Sequence, residues 1–146
     1  MTKILVTGGL GFVGSHLVDS LADAGYNVTV MDNLCSESSS KTYMREDVTY
    51  WIDDVRNLNT YKYTEESFDL VYHLAALARI QPSFKDPLTY LSIDIMGSAN
   101  VLEFARRCGA RPHTRWARSW PWPCCLHRAP CSRRRGRRGA ARGNPC

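Results

Sequence analysis

The sequence predicts an α/β fold, a doubly wound parallel sheet of about four strands with helices on both faces. Three observations predict it. Short apolar runs alternate with stretches of helical period, a glycine-rich turn joins the first run to the first helix, and an aspartate closes the second run. Residues 3–7, Lys-Ile-Leu-Val-Thr, are apolar enough for a strand covered on both faces. Residues 12–24 set Val13, Leu17, Leu21 and Ala24 on one helical stripe, and Gly25 stands where a left-handed cap ends a helix. Residues 27–31, Asn-Val-Thr-Val-Met, form the second strand, and a serine-rich loop covers 34–41. Residues 48–52 and 68–74 supply the third and fourth strands, with a weakly amphipathic stretch between them. Asp86 caps and Pro87 opens one long helix, whose Leu91, Ile95, Ala99, Leu102 and Ala105 share a face and which Gly109 ends. Right-handed crossovers give the spatial strand order 3-2-1-4. A fifth strand is due near residue 112, but the segment after Pro112 has neither period, so none is expected. The fourth strand would then be an open edge and the fold marginally stable.

Composition divides the chain there, into residues 1–112 and a tail of 113–146. Residues 1–103 hold all 14 acidic side chains and 7 basic ones, while 104–146 hold 12 arginines with no lysine and no acid. The net charge of +5 therefore averages two unlike segments. A tail of Arg, Pro, Ala, Gly, Trp and Cys is what a GC-rich reading frame yields out of register, so a frameshift or truncation near residue 112 is expected. The run Arg133-Arg134-Arg135-Gly136-Arg137-Arg138-Gly139 also offers a nucleic-acid reading, but charge without periodicity favours a disordered tail. Six cysteines without a C-x-x-C pair argue against structural zinc, and no metal is expected. No run of about 18 apolar residues occurs and no secretory pattern opens the chain, so the expectation is a cytoplasmic protein with no membrane partner.

The chemistry sits in Thr7-Gly8-Gly9-Leu10-Gly11-Phe12-Val13-Gly14, between the first strand and the first helix. One glycine lets the chain turn tightly, one lets a pyrophosphate approach bare backbone, and the last lets the helix pack closely. The helix start then offers unpaired N–H groups to phosphate. Asp32, 18 residues after Gly14, ends the second strand, where a carboxylate accepts from both adenosine ribose hydroxyls and repels a 2′-phosphate. Taken singly, the glycines could be a plain turn and Asp32 a loop cap. Together, in a strand–turn–helix context, they point to a partial Rossmann-type sheet that binds NAD rather than NADP.

These motifs, with Asp32-Asn33-Leu34, Asp54-Val55 and His73-Leu74-Ala75-Ala76, resemble the extended short-chain dehydrogenases/reductases, and within them the NAD-dependent epimerase/dehydratase family. The loop from Asp32 to Ser36 is similar to that of UDP-glucose 4-epimerases. The resemblance covers residues 1 to about 112. It implies that Gly8, Gly11, Phe12, Val13 and Gly14 hold the pyrophosphate and that Asp32, Asn33 and Ser36 hold the adenosine ribose and adjoining phosphate. It further implies that Asp54 and Val55 contact the adenine, and that Leu74, Ala75, Ala76 and Ala78 line the nicotinamide ribose side. It implies a nucleotide-sugar substrate, a homodimer, and epimerase chemistry, with dehydratase or reductase chemistry as the alternative. The chain departs from the family at Asp94-Ile95-Met96-Gly97, where the family carries Asn-Val-x-Gly; a carboxylate there only accepts. The family's Tyr-x-x-x-Lys is also missing. Tyr26, Tyr43, Tyr50, Tyr61, Tyr63, Tyr72 and Tyr90 each lack a lysine four residues on. No catalytic residue is therefore assigned, and the chain is expected to bind NAD without turnover, either as a non-catalytic fragment or as a basic-tailed binding protein.

Overall fold

In the computed structural model, which describes residues 1–36, 39 and 41–114, one parallel sheet holds five strands. They are β1 (Lys3–Thr7), β2 (Asn27–Asp32), β3 (Thr49–Ile52), β4 (Leu70–His73) and β5 (Arg111–Thr114), in spatial order β3-β2-β1-β4-β5. Helix α1 (Phe12–Asp23) connects β1 to β2. Two short helices, α2 (Ile80–Lys85) and α3 (Pro87–Leu91), precede a π-helical turn (Ser92–Gly97) and then α4 (Ser98–Cys108), which leads into β5. The disordered tail expected from residue 113 falls, from 115 on, outside the described residues.

The alternation of a strand sorts the core into two layers. Leu5, Met31 and Val71 face one side and pack with Val55, Leu58, Tyr63, Phe68 and the α4 residues Val101, Phe104 and Ala105. Ile4, Val6, Val28 and Val30 face the other and pack with Leu10, Val18 and Val48. Both faces of the central strands are thus covered, as their continuous apolar runs require.

Two expectations are corrected. A fifth strand does form: Leu70 to His73 register with Arg111 to Thr114, and the Tyr72 and His113 rings stack at 5.4 Å. Its sequence, Arg-Pro-His-Thr, lacks an apolar period because β5 is the edge of the sheet among the described residues, where a proline without an N–H costs no bond to β4. The ordered unit accordingly runs to at least Thr114, and β4 is not an open edge.

The long helix after Asp86 is broken by the π turn, and its buried face matches the expected one only near its C-terminal end, where Ala105 is buried and Leu102 half-buried. Ile93, Gly97, Val101, Phe104 and Ala105 are buried, whereas Leu91, Ile95 and Ala99 are exposed. The wide turn adds a residue to the winding, so a stripe extrapolated at 3.6 residues per turn drifts off the core side. Asp86 does cap this segment, accepting from the Thr89 N–H at 3.2 Å, and Gly109 ends it with φ +67°.

This buried face predicts opposite outcomes for two apolar truncations in one helical segment. Phe104→Ala should destabilise the fold by about 4 kcal/mol through an unfilled cavity. Leu91→Ala should change it by less than about 0.5 kcal/mol. Urea denaturation followed by circular dichroism measures both; similar losses would contradict the assigned face.

Candidate functional site

The carboxyl ends of β1, β2 and β4 open onto a cleft of about 440 Å³, at the place where strand order reverses. Its floor is the glycine turn. Gly8 adopts φ +73° and donates its N–H to Met31 O at 2.8 Å. A Cβ on Gly8 would lie 2.7 Å from Ala75 N, and one on Gly14 would overlap Gly8 O and lie 2.7 Å from Gly9 Cα. Those two glycines are required by the protein's own backbone. Gly11 is different. Its φ of −78° suits any residue, and a Cβ there would meet only Gly8 O, at 3.4 Å. The space it leaves is cleft, not core.

Gly11 also caps α1 without a side chain, and the first-turn residues Phe12, Val13 and Gly14 line the cleft. Val13, expected on the buried stripe of α1, is about half exposed instead. The cleft therefore faces the positive end of a helix dipole whose first turn carries no acidic residue.

Asp32 forms the opposite wall and is 6% exposed. One carboxylate oxygen accepts from Leu10 N–H at 3.0 Å, inside the glycine turn, and the other from Leu34 N–H at 2.8 Å. Each oxygen keeps one lone-pair site. Leu34 takes φ +56° to make its bond, an unusual geometry for a branched residue. Asn33 reaches sideways, donating to Asp54 Oδ2 at 3.0 Å while accepting from Cys35 N–H at 3.1 Å.

Thirteen of the sequence-selected residues line this one cleft: Gly8, Gly11, Phe12, Val13, Gly14, Asp32, Asn33, Ser36, Val55, Leu74, Ala75, Ala76 and Ala78. Asp54 does not. Its Oδ1 accepts from the N–H and Nε of Arg56, and its Oδ2 from Arg56 Nη2 and Asn33. Four donors fill a carboxylate, so an adenine amino group would have to displace one. The Arg56 guanidinium also holds the Asp54 carboxyl below the usual carboxylate range.

The structure adds Met31, Ser39, Asp53, Arg79 and Ile93 to the lining. Asp53 is pushed well below the usual carboxylate range by hydrogen bonds from Asn57, Lys62 and Tyr63. Its neighbour Asp54 drew the sequence reading because only the second aspartate fits the motif. Ile93 was hidden by the misjudged helix face.

The third wall, Leu74 to Ala78, follows β4. His73 at the end of β4 is 3% exposed, with Nδ1 2.7 Å from Thr7 Oγ1 and Nε2 3.0 Å from Ser98 Oγ. Asp94 in the π turn accepts from Leu77 N–H at 2.9 Å. Among the described residues no group of three or more His, Cys, Asp or Glu could hold a metal ion, and no helix is long and apolar enough to cross a membrane.

Residues 4–117 match the model of the NAD dependent epimerase/dehydratase family. The chain is 35% identical over 116 residues to the UDP-glucose 4-epimerase of Neisseria meningitidis serogroup B, covering 75% of this chain and 34% of that protein. It is 36% identical over 113 residues to UDP-glucuronic acid decarboxylase 1 of Danio rerio, covering 75% of this chain and 26% of that one. Among solved structures it resembles the Thermotoga maritima UDP-glucose 4-epimerase with UDP-glucose (TM-score 0.71, 31% identity, 77% of this chain and 37% of that chain). It also resembles the Thermus thermophilus UDP-glucose 4-epimerase complex with NAD (TM-score 0.66, 32% identity, 75% and 35%). The chain spans about a third of the length of the curated epimerases it matches.

Burial pushes the His73 pKa from 6.5 down to about 4. The folded chain then holds the ring neutral where the unfolded chain protonates it. Between pH 6.5 and 4 the unfolded state binds more protons, so stability falls as pH falls. The full effect is on the order of 3 kcal/mol. Urea midpoints at pH 7 and pH 4.5 should fall more for the wild type than for His73→Phe, which is less stable at pH 7 but lacks this slope. Equal slopes would contradict a buried neutral ring.

Proposed function

Because the chain belongs to the NAD dependent epimerase/dehydratase family, we propose that its cleft binds NAD as the coenzyme half of a nucleotide-sugar epimerase of the UDP-glucose 4-epimerase kind. One observation carries this reading. Gly11 lines the cleft and lacks a side chain although the fold leaves room for one. A glycine the protein does not need for packing is a glycine the ligand needs, and bare backbone at a helix start suits a pyrophosphate.

The walls support the same assignment. Asp32 has one acceptor site left on each oxygen, which suits the paired hydroxyls of a ribose and repels a 2′-phosphate. The small side chains of Ala75, Ala76 and Ala78 leave a smooth wall for the nicotinamide ribose side. When bound, NAD supplies reversible hydride acceptance, by which a sugar carbinol is oxidised and reduced again. The residues of this chain hold and orient the coenzyme. None of its tyrosines has a lysine four residues on, so no proton-transfer pair is assigned. A UDP-glucose 4-epimerase and a UDP-glucuronic acid decarboxylase match at similar identity, and what their names share is a UDP-sugar. A homodimer and a cytoplasmic location belong to the same proposal.

Calorimetry tests it. The wild type should bind NAD more tightly than NADP. Gly11→Val should abolish binding and leave the melting temperature within a few degrees. Asp32→Ala should weaken NAD about tenfold or more and narrow the gap to NADP, because it removes two acceptors. The 146-residue chain incubated with NAD and UDP-glucose should form no UDP-galactose. Unchanged NAD affinity in a folded Gly11→Val chain would sink the reading.

A further inference from the structure

The hydrogen bonds around His73 have only one consistent direction. Ser98 Oγ lies in a short contact with the Asp94 carbonyl oxygen. Two oxygens meet that closely only with a proton between them, and the carbonyl has none, so Ser98 donates its single proton there. Ser98 Oγ can then only accept at 3.0 Å from His73, which fixes the proton on Nε2. Nδ1 is left bare and accepts from the Thr7 hydroxyl at 2.7 Å. Thr7 Oγ1 in turn accepts from the Ala75 N–H at 3.4 Å. The result is an oriented chain from Ala75 through Thr7, His73 and Ser98 to the Asp94 carbonyl.

Both ends of this chain bear on the same wall of the cleft. Ala75 N is the atom that a Cβ on Gly8 would strike, so the wall and the glycine turn touch there. At the other end, the Asp94 side chain accepts from Leu77 N–H at 2.9 Å. Asp94 sits in the π turn, and the Ser98 hydroxyl satisfies its carbonyl while the Ser98 N–H turns to Ile95 O. The wall from Leu74 to Ala78 is thus pinned at two points, Ala75 and Leu77, by groups that all converge on one buried ring.

We propose that His73, fixed as the Nε2–H tautomer between Thr7 and Ser98, is a positioning residue that sets the Leu74–Ala78 wall for the nicotinamide half of the coenzyme. This rests on the coenzyme reading above. His73 touches no ligand itself; it acts through Thr7 and through the π turn. A histidine suits the post because its neutral ring donates at one nitrogen and accepts at the other, and so joins a serine that must accept to a threonine that must donate. The arrangement also gives the π turn a purpose, since it turns the Asp94 carboxylate toward Leu77.

The test uses the full chain and two readouts. Nitrogen-15 correlation spectra of labelled protein should show His73 as the Nε2–H tautomer at pH 7. Ser98→Ala removes the acceptor at Nε2 with little loss of packing. It should release the ring to a tautomer mixture and weaken NAD binding about fivefold, the worth of one neutral hydrogen bond. ADP, which lacks the nicotinamide half, should bind Ser98→Ala and the wild type alike. A general loosening of the fold would weaken both ligands equally, and that outcome overturns the proposal. So does an Nδ1–H tautomer, or an unchanged NAD affinity. A wild type that binds no NAD at all would overturn the coenzyme reading and the positioning role with it.

Discussion

The architecture depends on a contact between two pieces of backbone. Gly14 in the first turn of α1 lies directly over Gly8 at the end of β1, with no room for a Cβ between them. That approach brings the helix start against the strand end and holds the Gly11 backbone at the lip of the cleft. It also presses Gly8 against Ala75, so β4 is fixed in the same step. A larger residue at Gly14 would displace the helix start, and one at Gly8 the Leu74–Ala75 backbone, rather than a side chain. The exposed backbone of the glycine turn is therefore a consequence of how the fold closes.

Asp32 extends the same logic across the sheet. Its carboxylate is held by one N–H from the glycine turn and one from its own loop, so it braces the cleft before any ligand arrives. A carboxylate buried to this degree would be costly without such donors. With them it is held in place with one acceptor site left on each oxygen, and it lines the same cleft as the α1 start. Preorganisation of this kind reduces what must be ordered on binding.

Much of this was legible in the sequence, and the exceptions have physical causes. The glycine spacing and Asp32 announce themselves because few other residues satisfy a positive φ, a backbone contact and a strand-end carboxylate together. Strands β1, β2 and β4 are legible because both faces are buried, which forces continuous apolar runs. Strand β5 was illegible for the converse reason. An edge strand needs no apolar face, and Arg111-Pro112-His113-Thr114 owes its register to β4 rather than to its own pattern. Val13 carries the period of the core stripe, but in the first turn of α1 it is Gly14 and Ser15 that are buried while Val13 lines the cleft. The helix after Asp86 misled for a third reason, since nothing in its composition signals the extra residue of the π turn. At Asp54 the motif alone does not show that Arg56, two residues on, and Asn33 donate to both carboxylate oxygens.

The departure at Asp94 is informative in this light. An asparagine offers one acceptor and one donor, a carboxylate only acceptors. In this chain the group at position 94 is used as an acceptor, from Leu77 N–H, and the same residue's carbonyl takes the Ser98 hydroxyl. The carboxylate thus supplies the acceptor that Leu77 N–H uses and lacks the donor that an asparagine amide carries. A charge-bearing acceptor binds an N–H more strongly than an amide oxygen does. Scaffolding and chemistry make separate demands on one side chain here, and this sequence meets the first of them.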